Sequence, residues 1–365
     1  MKVVCGRKEL AAALGDAARI AARAGAVQVL SGVALEVAEG ALTVSATDLE
    51  LSCRARIPCR VDEPGAAVPS ARRLLELVRR LPDAEVEIAA VPAGSTVRVT
   101  SGESEYVLRG GDPADFPQLP DDLDGVTVEL ECAAFVETIG RVVRAASTDL
   151  SRPVYTGIQM RVDEQAITLV ATDGYRLASK RTAVRSGGGE VDVVVPARAL
   201  GELVRLAGGA ATVRVTVAPN TIEFALPHLT LWARRVAGRP QDHEQILASA
   251  FSHDARVSRR ALLAAVDRAA VMIERNAPLE LVFERSELSL HVRTAESGEA
   301  HERLALAAPT EPLRIGFNAR YLRDGLELVD GDEVRFRMND GIRPVVLGGA
   351  SDDFAYLVAP LRLGG

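Results

Sequence analysis

Apolar residues recur at the i, i+4, i+7, i+11 spacing of a buried helical stripe three times along the chain. They fall at Leu10, Leu14, Ala17 and Ala21, at Phe135, Ile139, Val142 and Ala146, and at Leu262, Val266, Ala269 and Ile273. A short run of strand character, KVVC, VTVELE or ARVS, precedes each stripe. The stripes lie roughly 125 residues apart, and the elements behind them repeat at the same interval. ALTVSATDLELSCRARI and AITLVATDGYRLASKRT each read strand, Ala-Thr-Asp, strand, and LSLHVRTAESGEAHERLAL fills that slot in the third copy. AAVPSARRLLELVRRLPDAEVEI, VVVPARALGELVRLAGGAATVRV and LRIGFNARYLRDGLELVDGDEVRF each read strand, short helix, turn, strand. Three copies of one unit, with two helices and several antiparallel strands apiece, predict an α+β protein whose helices pack on one face of each sheet. Domains are expected at 1–124, 125–248 and 249–365, with junctions near Leu119 to Gly125 and Gln245 to Asp254, where residues are polar or small.

Composition narrows the class. At 365 residues the chain exceeds one ordinary core, and 48% hydrophobic with 25% charged residues is the balance of a globular protein. No apolar run reaches the roughly 18 to 20 residues of a membrane span, and MKVVCGRKEL lacks a signal-peptide core, so a cytoplasmic location is expected. Cys5, Cys53, Cys59 and Cys132 form no CxxC pair and have no histidine at ligand spacing; they are read as reduced, partly buried thiols. Neither a metal nor a cofactor is expected. GGGE at Gly187 to Glu190 lies between strands and reads as a flexible hairpin connection rather than a phosphate loop.

The stretch QAITLVATDGYRLAS places Asp173-Gly174 between two apolar runs, the strongest short-range signal for a hairpin. An enzyme could use Asp173 with Tyr175 or Arg176 as an acid/base pair. No second carboxylate or histidine motif stands beside the turn, and Asp48 at the same place in the first copy marks the acid as architectural. On the six predicted helices basic residues outnumber acidic ones, although the whole chain carries a net charge of −7. A basic layer within an acidic shell suits a polyanion held without base reading.

In TDLE (Thr47 to Glu50), DFPQLP (Asp115 to Pro120), RPVYTGI (Arg152 to Ile158), ATDGYRLA (Ala171 to Ala178), VVVPARALGEL (Val193 to Leu203), IGFNARYL (Ile315 to Leu322) and YLVAPLRL (Tyr356 to Leu363) the chain resembles the bacterial DNA polymerase III β subunit, the sliding-clamp family, over essentially its whole length. The resemblance implies a head-to-tail homodimer whose six domains close a ring, with helices lining the hole and sheets outside. Double-stranded DNA would thread the ring, which has no chemistry of its own and tethers DNA polymerase. It further implies a pocket for short peptide motifs of polymerase and clamp-loader subunits, built from Tyr155, Thr172, Gly174, Tyr175, Arg176, Leu177, Ile246, Pro344, Leu357, Ala359, Pro360 and Leu361. Arg23, Arg72, Arg73, Arg141, Arg144, Arg198 and Arg205 would face DNA. Tyr106, Glu103 and Glu105 would meet Val271 and Met272 of a second copy, with Arg275, His301 and Arg303 answering the two acids.

Several features depart from the family pattern, among them GRPQDHEQIL (Gly238 to Leu247) and the two glycines Gly364 and Gly365 after the usual last leucine. Ala359 stands where methionine is common, Glu103 and Glu105 where arginines are common, and RAGAVQVL (Arg23 to Leu30) lacks the usual prolines. Two further readings are a specialised second clamp, serving repair or tolerance of a clamp-binding inhibitor, and a peptide-binding scaffold that never encircles DNA.

Overall fold

The computed structural model describes residues 1–23, 27–82, 84–91, 96–238, 250–274 and 277–363. Its α-helices among these residues are α1 (Arg7–Ile20), α2 (Ala71–Val78), α3 (Cys132–Val142), α4 (Ala197–Leu206), α5 (Arg259–Ala270) and α6 (Ala319–Leu328). Strands Lys2–Gly6, Val126–Glu131 and His253–Ser258 lead into α1, α3 and α5 as the repeat requires.

In each copy the first three positions of the apolar stripe are buried, from Leu10 through Phe135 to Leu262. The fourth overruns the helix. Ala21 caps α1 with an extended backbone (ψ 138°), Ala146 follows the 3-10 turn Val143–Ala145, and Ile273 lies beyond the end of α5. Periodicity in side-chain character thus outlasts the hydrogen-bond ladder, and helix ends fray into tighter turns. Arg23 therefore sits past α1, and Arg144 sits in the 3-10 turn, rather than on helix faces.

Every strand pairing described is antiparallel. The residues divide into two compact units that do not coincide with the three repeats. The first, Met1–Val136 with Val184–Gly189 and Arg198–Arg235, holds a 13-stranded sheet in which Leu51–Glu63 of the first repeat pairs with Leu229–Arg234 of the second. The second unit comprises Glu137–Ala183, Glu190–Ala197 and Val236–Gly365. It holds an eight-stranded sheet, joined through Arg176–Ala183 and Phe354–Val358, and a four-stranded sheet ending at Gly298–Ala305. Helix α1 packs on strands of the first sheet and on α2, and α5 packs on the four-stranded sheet and on α6. Phe135 stacks on Phe224, and Phe283 meets Phe336 edge to face at 5.5 Å, which fixes the two cores.

In the GGGE segment residues 188–190 connect two strands as expected, while Gly187 itself belongs to a two-residue strand, Ser186–Gly187, paired to Val126–Glu131. Gly187 has φ 98°, and a Cβ there would come within 2.2 Å of the Thr127 carbonyl oxygen, so only glycine fits. No helix among the described residues is long and apolar enough to cross a membrane.

Candidate peptide-binding and DNA-facing sites

The hairpin at Asp173 is built by its own side chains. Thr172 Oγ1 donates to the Arg176 carbonyl at 2.7 Å and accepts the Gly174 N–H at 3.0 Å. Asp173 Oδ1 accepts the N–H groups of Tyr175 (2.9 Å) and Arg176 (3.0 Å), while Gly174 takes φ 93°. The other carboxylate oxygen, Oδ2, accepts Arg176 Nε at 3.0 Å. Both oxygens of Asp173 are therefore engaged, which leaves the acid/base reading without a free base.

Arg176 is itself buried. Beyond Asp173 it donates to the Arg144 carbonyl at 2.6 Å and to the Asp324 carboxylate, and its guanidinium lies 4.6 Å from the centre of the Tyr321 ring. The Tyr356 hydroxyl closes the cluster by donating to the Tyr321 carbonyl at 2.9 Å, and burial raises the pKa of both phenols. Among these partners Asp324, Arg144 and Tyr321 were not singled out as parts of the pocket in the sequence, because they meet Arg176 only through the fold.

The C-terminal strand runs beside this hairpin. Leu177 pairs with Leu357 and Arg176 with Val358, the Ala359 N–H donates to the Tyr175 carbonyl at 2.8 Å, and the Leu361 N–H donates to the Gly316 carbonyl at 2.7 Å. Leu177, Leu357, Val170 and Val346 form a buried apolar cluster with Phe251 and Ala355 against it. Tyr175 is 61% exposed and Gly174 is exposed, while Thr172, Pro344, Ala359, Pro360 and Leu361 are half-buried. The half-buried Tyr155 lies under the Arg152 guanidinium at 4.0 Å, and Arg152 is also the nearest group to Gly174. Ile246 lies outside the described residues.

The first repeat carries the same hairpin. Thr47 Oγ1 donates to the Leu51 carbonyl and accepts the Leu49 N–H, Asp48 Oδ1 accepts the N–H groups of Glu50 and Leu51, and Leu49 takes φ 76° where Gly174 stands in the second copy. The Arg234 N–H donates to the Glu50 carbonyl at 3.0 Å, as Ala359 does to Tyr175. The side chains differ. Ser52, bonded to Thr47 Oγ1 at 2.7 Å, takes the place of Leu177, and the buried Trp232, bonded to Glu223 at 3.0 Å, takes that of Leu357. Leu51 replaces Arg176, so Asp48 Oδ2 is met by Arg198 from α4 instead. One backbone scaffold thus carries a pair of leucines at these strand positions once and a serine with a tryptophan once.

The basic candidates are placed less freely than their charge suggests. Arg72 pairs with Glu76 (3.0 Å), Arg144 with Glu327 (2.6 Å) and Arg205 with Glu202 (2.9 Å). Arg141 pairs with Glu137 at 3.2 Å, donates to the Leu328 carbonyl and lies over Phe354, so it is turned into the fold. Arg23 and Arg73 are exposed and form no ion pair with a described residue. Exposed pairs contribute little, so an arginine can exchange a carboxylate for a phosphate at small cost.

Ser104–Gly111 and Gly298–Ala305 are among the strands that leave an edge open within the described residues. Ser104–Gly111 is bonded along one side to Thr96–Ser101, and on the other only Gly110 and Gly111 reach Pro69 and Val68. Tyr106 and Val107 are exposed on it, Glu103 is exposed in the preceding turn, and Glu105 pairs with Arg98 at 3.3 Å. Gly298–Ala305 forms the edge of the four-stranded sheet. Arg303 there contacts His301 at 3.4 Å, His301 stacks on His291 at 4.4 Å, and Val271 nearby is 78% exposed with Met272 half-buried beneath it. Arg275 lies outside the described residues.

Three repeats of paired helices on antiparallel sheets, with basic residues along the helices, define a clamp-type scaffold. The matches to known proteins agree: the N-terminal, central and C-terminal domains of the DNA polymerase III beta subunit match residues 1–120, 129–240 and 244–362. The chain is 31% identical to the beta sliding clamp of Synechococcus elongatus, with both chains fully covered. The crystal structure of the Caulobacter crescentus DNA polymerase sliding clamp superposes with a TM-score of 0.94 at 28% identity, again over all of both chains. A Pseudomonas aeruginosa sliding clamp bound to griselimycin superposes with a TM-score of 0.93 at 26% identity and full coverage. The chain belongs to the DNA polymerase III beta subunit family. It is a non-catalytic sliding clamp, a homodimer that encircles duplex DNA and holds polymerase and clamp-loader subunits through short peptide motifs.

Proposed function

We propose that the partner motifs of this cytoplasmic clamp dock at the second-repeat hairpin, between Tyr175, Gly174 and Thr172 on one side and Ala359, Pro360 and Leu361 on the other, over the Leu177 and Leu357 floor. The observation that carries this reading is the contrast between the two equivalent junctions, one floored by leucines and the other occupied by Ser52 and Trp232. Peptide clefts draw most of their free energy from one or two buried apolar anchors, which the leucine floor can receive and the tryptophan-filled junction cannot. Ring closure is assigned to the open edge of Ser104–Gly111 against Gly298–Ala305 of a second copy, with Tyr106 meeting Val271 and Met272, and with Arg303 facing Glu103 and Glu105. The DNA-facing set is Arg23, Arg72, Arg73, Arg144, Arg198 and Arg205, with Arg141 contributing through its position in the fold rather than by direct contact.

The test joins three measurements on the full chain. Retention on circular but not linear DNA reports encirclement, native mass reports the dimer, and titration with a Gln-Leu-x-Leu-Phe peptide reports the cleft. Unchanged peptide affinity after removal of residues 359–365 would take the C-terminal segment out of the site.

A further inference from the structure

We propose that Cys5 and Cys59 form a reversible intramolecular disulfide when the protein meets a small-molecule disulfide, stapling the seam at which the sheet of the first repeat closes. The two residues lie directly opposite each other on antiparallel neighbours, Lys2–Gly6 and Leu51–Glu63. Within the first repeat the strands follow one another from Lys2–Gly6 round to Leu51–Glu63, and the pairing of those two strands brings the ends of the series together.

The hydrogen-bond pattern fixes how near the two residues come. The Cys59 N–H donates at 3.3 Å to the Gly40 carbonyl, on the side away from Lys2–Gly6. The Arg7 N–H donates to the Ala84 carbonyl at 2.7 Å, and Cys5, two residues earlier, is paired with Val86 on that same side. Each cysteine therefore turns its backbone donor and acceptor away from the other, which makes them a non-hydrogen-bonded pair. In such a pair the Cα atoms stand about 4.5 Å apart with both side chains on one face, and a disulfide needs a Cα separation of roughly 4.4 to 6.8 Å. The bond then calls for side-chain rotation rather than backbone movement, starting from a Cys5 thiol that rests 3.9 Å from the Val86 carbonyl oxygen. Neither remaining cysteine is placed to compete. Cys53 lies six residues before Cys59 on the same strand, about 20 Å along it, where it faces Ala46 and Leu231, and Cys132 begins α3.

The two thiols are unequal. Cys5 is 4% exposed, and burial, with Cys59 and Glu9 beside it, pushes its pKa up to about 12. Cys59 is half-buried, and burial raises its pKa as well. Only a thiolate attacks, so both are quiet at neutral pH and Cys59 is the one an external reagent reaches. Its thiolate attacks one sulfur of the reagent, forming a mixed disulfide and expelling one thiolate, which takes up the proton that Cys59 lost. Cys5 then gives up its proton and attacks Cys59 Sγ, forming the protein disulfide and expelling the second reagent thiol. Two electrons pass from the cysteine pair to the reagent, which leaves as two thiols.

The test incubates the full-length protein with millimolar oxidised glutathione and maps the product by peptide mass spectrometry. Two free thiols should remain of the original four, with no glutathione attached and with one peptide pair joined through Cys5 and Cys59. The bond should form faster as pH rises from about 7 to 9. It should raise the thermal midpoint by a few degrees, because it constrains the unfolded chain between residues 5 and 59. Dithiothreitol should restore both the thiols and the original midpoint. Cys5→Ser should stop at a stable glutathione adduct on Cys59, Cys59→Ser should give neither adduct nor bond, and Cys53→Ala should form the bond as wild type does. Four unchanged thiols, glutathione retained on Cys59 of the wild type, or a link between two chains through Cys59 would each overturn the proposal. The wild-type peptide map decides among these outcomes by itself, so a variant that folds poorly leaves the test intact.

Discussion

Arg176 Nε donates to Asp173 Oδ2 at 3.0 Å, and this pair joins the turn to the buried framework behind it. The same carboxylate shapes the hairpin through Oδ1, so one aspartate fixes both the backbone and the orientation of the arginine. Asp324 and the Arg144 carbonyl then hold the far end of the guanidinium.

Removing that guanidinium leaves two largely buried carboxylates without their counter-ion. Breaking a buried pair in this way typically costs about 3 to 5 kcal/mol, far more than loss of an exposed pair. Arg176→Met should therefore lower the unfolding free energy in urea by that amount, and Arg176→Lys, which keeps the charge but cannot span Asp173, Asp324 and the Arg144 carbonyl together, should recover only part of it. A Met variant within about 1 kcal/mol of wild type would show the network to be dispensable.

The open edge at Ser104–Gly111 leads to a prediction about mass. Tyr106 is 42% exposed on the strand edge, and burying an aromatic against aliphatic side chains stabilises by about 2 to 3 kcal/mol. Wild-type protein should run at twice 38.8 kDa in native mass spectrometry or light scattering. Tyr106→Asp should shift micromolar protein towards the single-chain mass, with its far-UV circular dichroism unchanged.

Acid should weaken the sheet that carries the other edge. Burial lowers the His291 pKa, and the stacked His301, with Arg314 and Arg293, lowers it further against the opposing pull of Glu280. A histidine whose folded pKa lies below the ordinary value of 6.5 contributes stability that is present above that value and is lost as pH falls through it. The thermal midpoint should drop between pH 7.5 and 5.5, and the drop should be smaller in His291→Gln. Equal drops in both proteins would place the acid sensitivity elsewhere.

Local chemistry made much of this legible. The Thr172 to Arg176 turn is specified by Asp and Gly at adjacent positions, and the helical stripes at Leu10, Phe135 and Leu262 mark buried faces, because hydrogen bonds and packing over a few residues decide both. What closes the junctions was not legible. Arg198 meets Asp48, and Arg176 meets Asp324, across roughly 150 residues, and no periodicity encodes such partners. The same limit applies to Arg144 with Glu327 and Arg19 with Glu202, whereas Arg72 with Glu76 and Arg205 with Glu202 sit at the i,i+4 and i,i+3 spacings that a helix brings together.

The peptide cleft gives the most direct test of the contrast between the two junctions. Tyr175 is 61% exposed and belongs to no buried cluster, whereas Leu177 is core, so truncation of the two separates binding from folding. Tyr175→Ala should weaken a Gln-Leu-x-Leu-Phe peptide by about 1 to 2 kcal/mol with little change in stability, because it removes a wall without opening a cavity. Leu177→Ala should instead cost about 2 to 4 kcal/mol of folding free energy and weaken the peptide by lowering the floor. Ala359, half-buried and bonded through its backbone to Tyr175, can accept a longer side chain without losing that bond. Ala359→Met should therefore narrow the cleft and tighten the peptide by about 1 kcal/mol, read by isothermal titration.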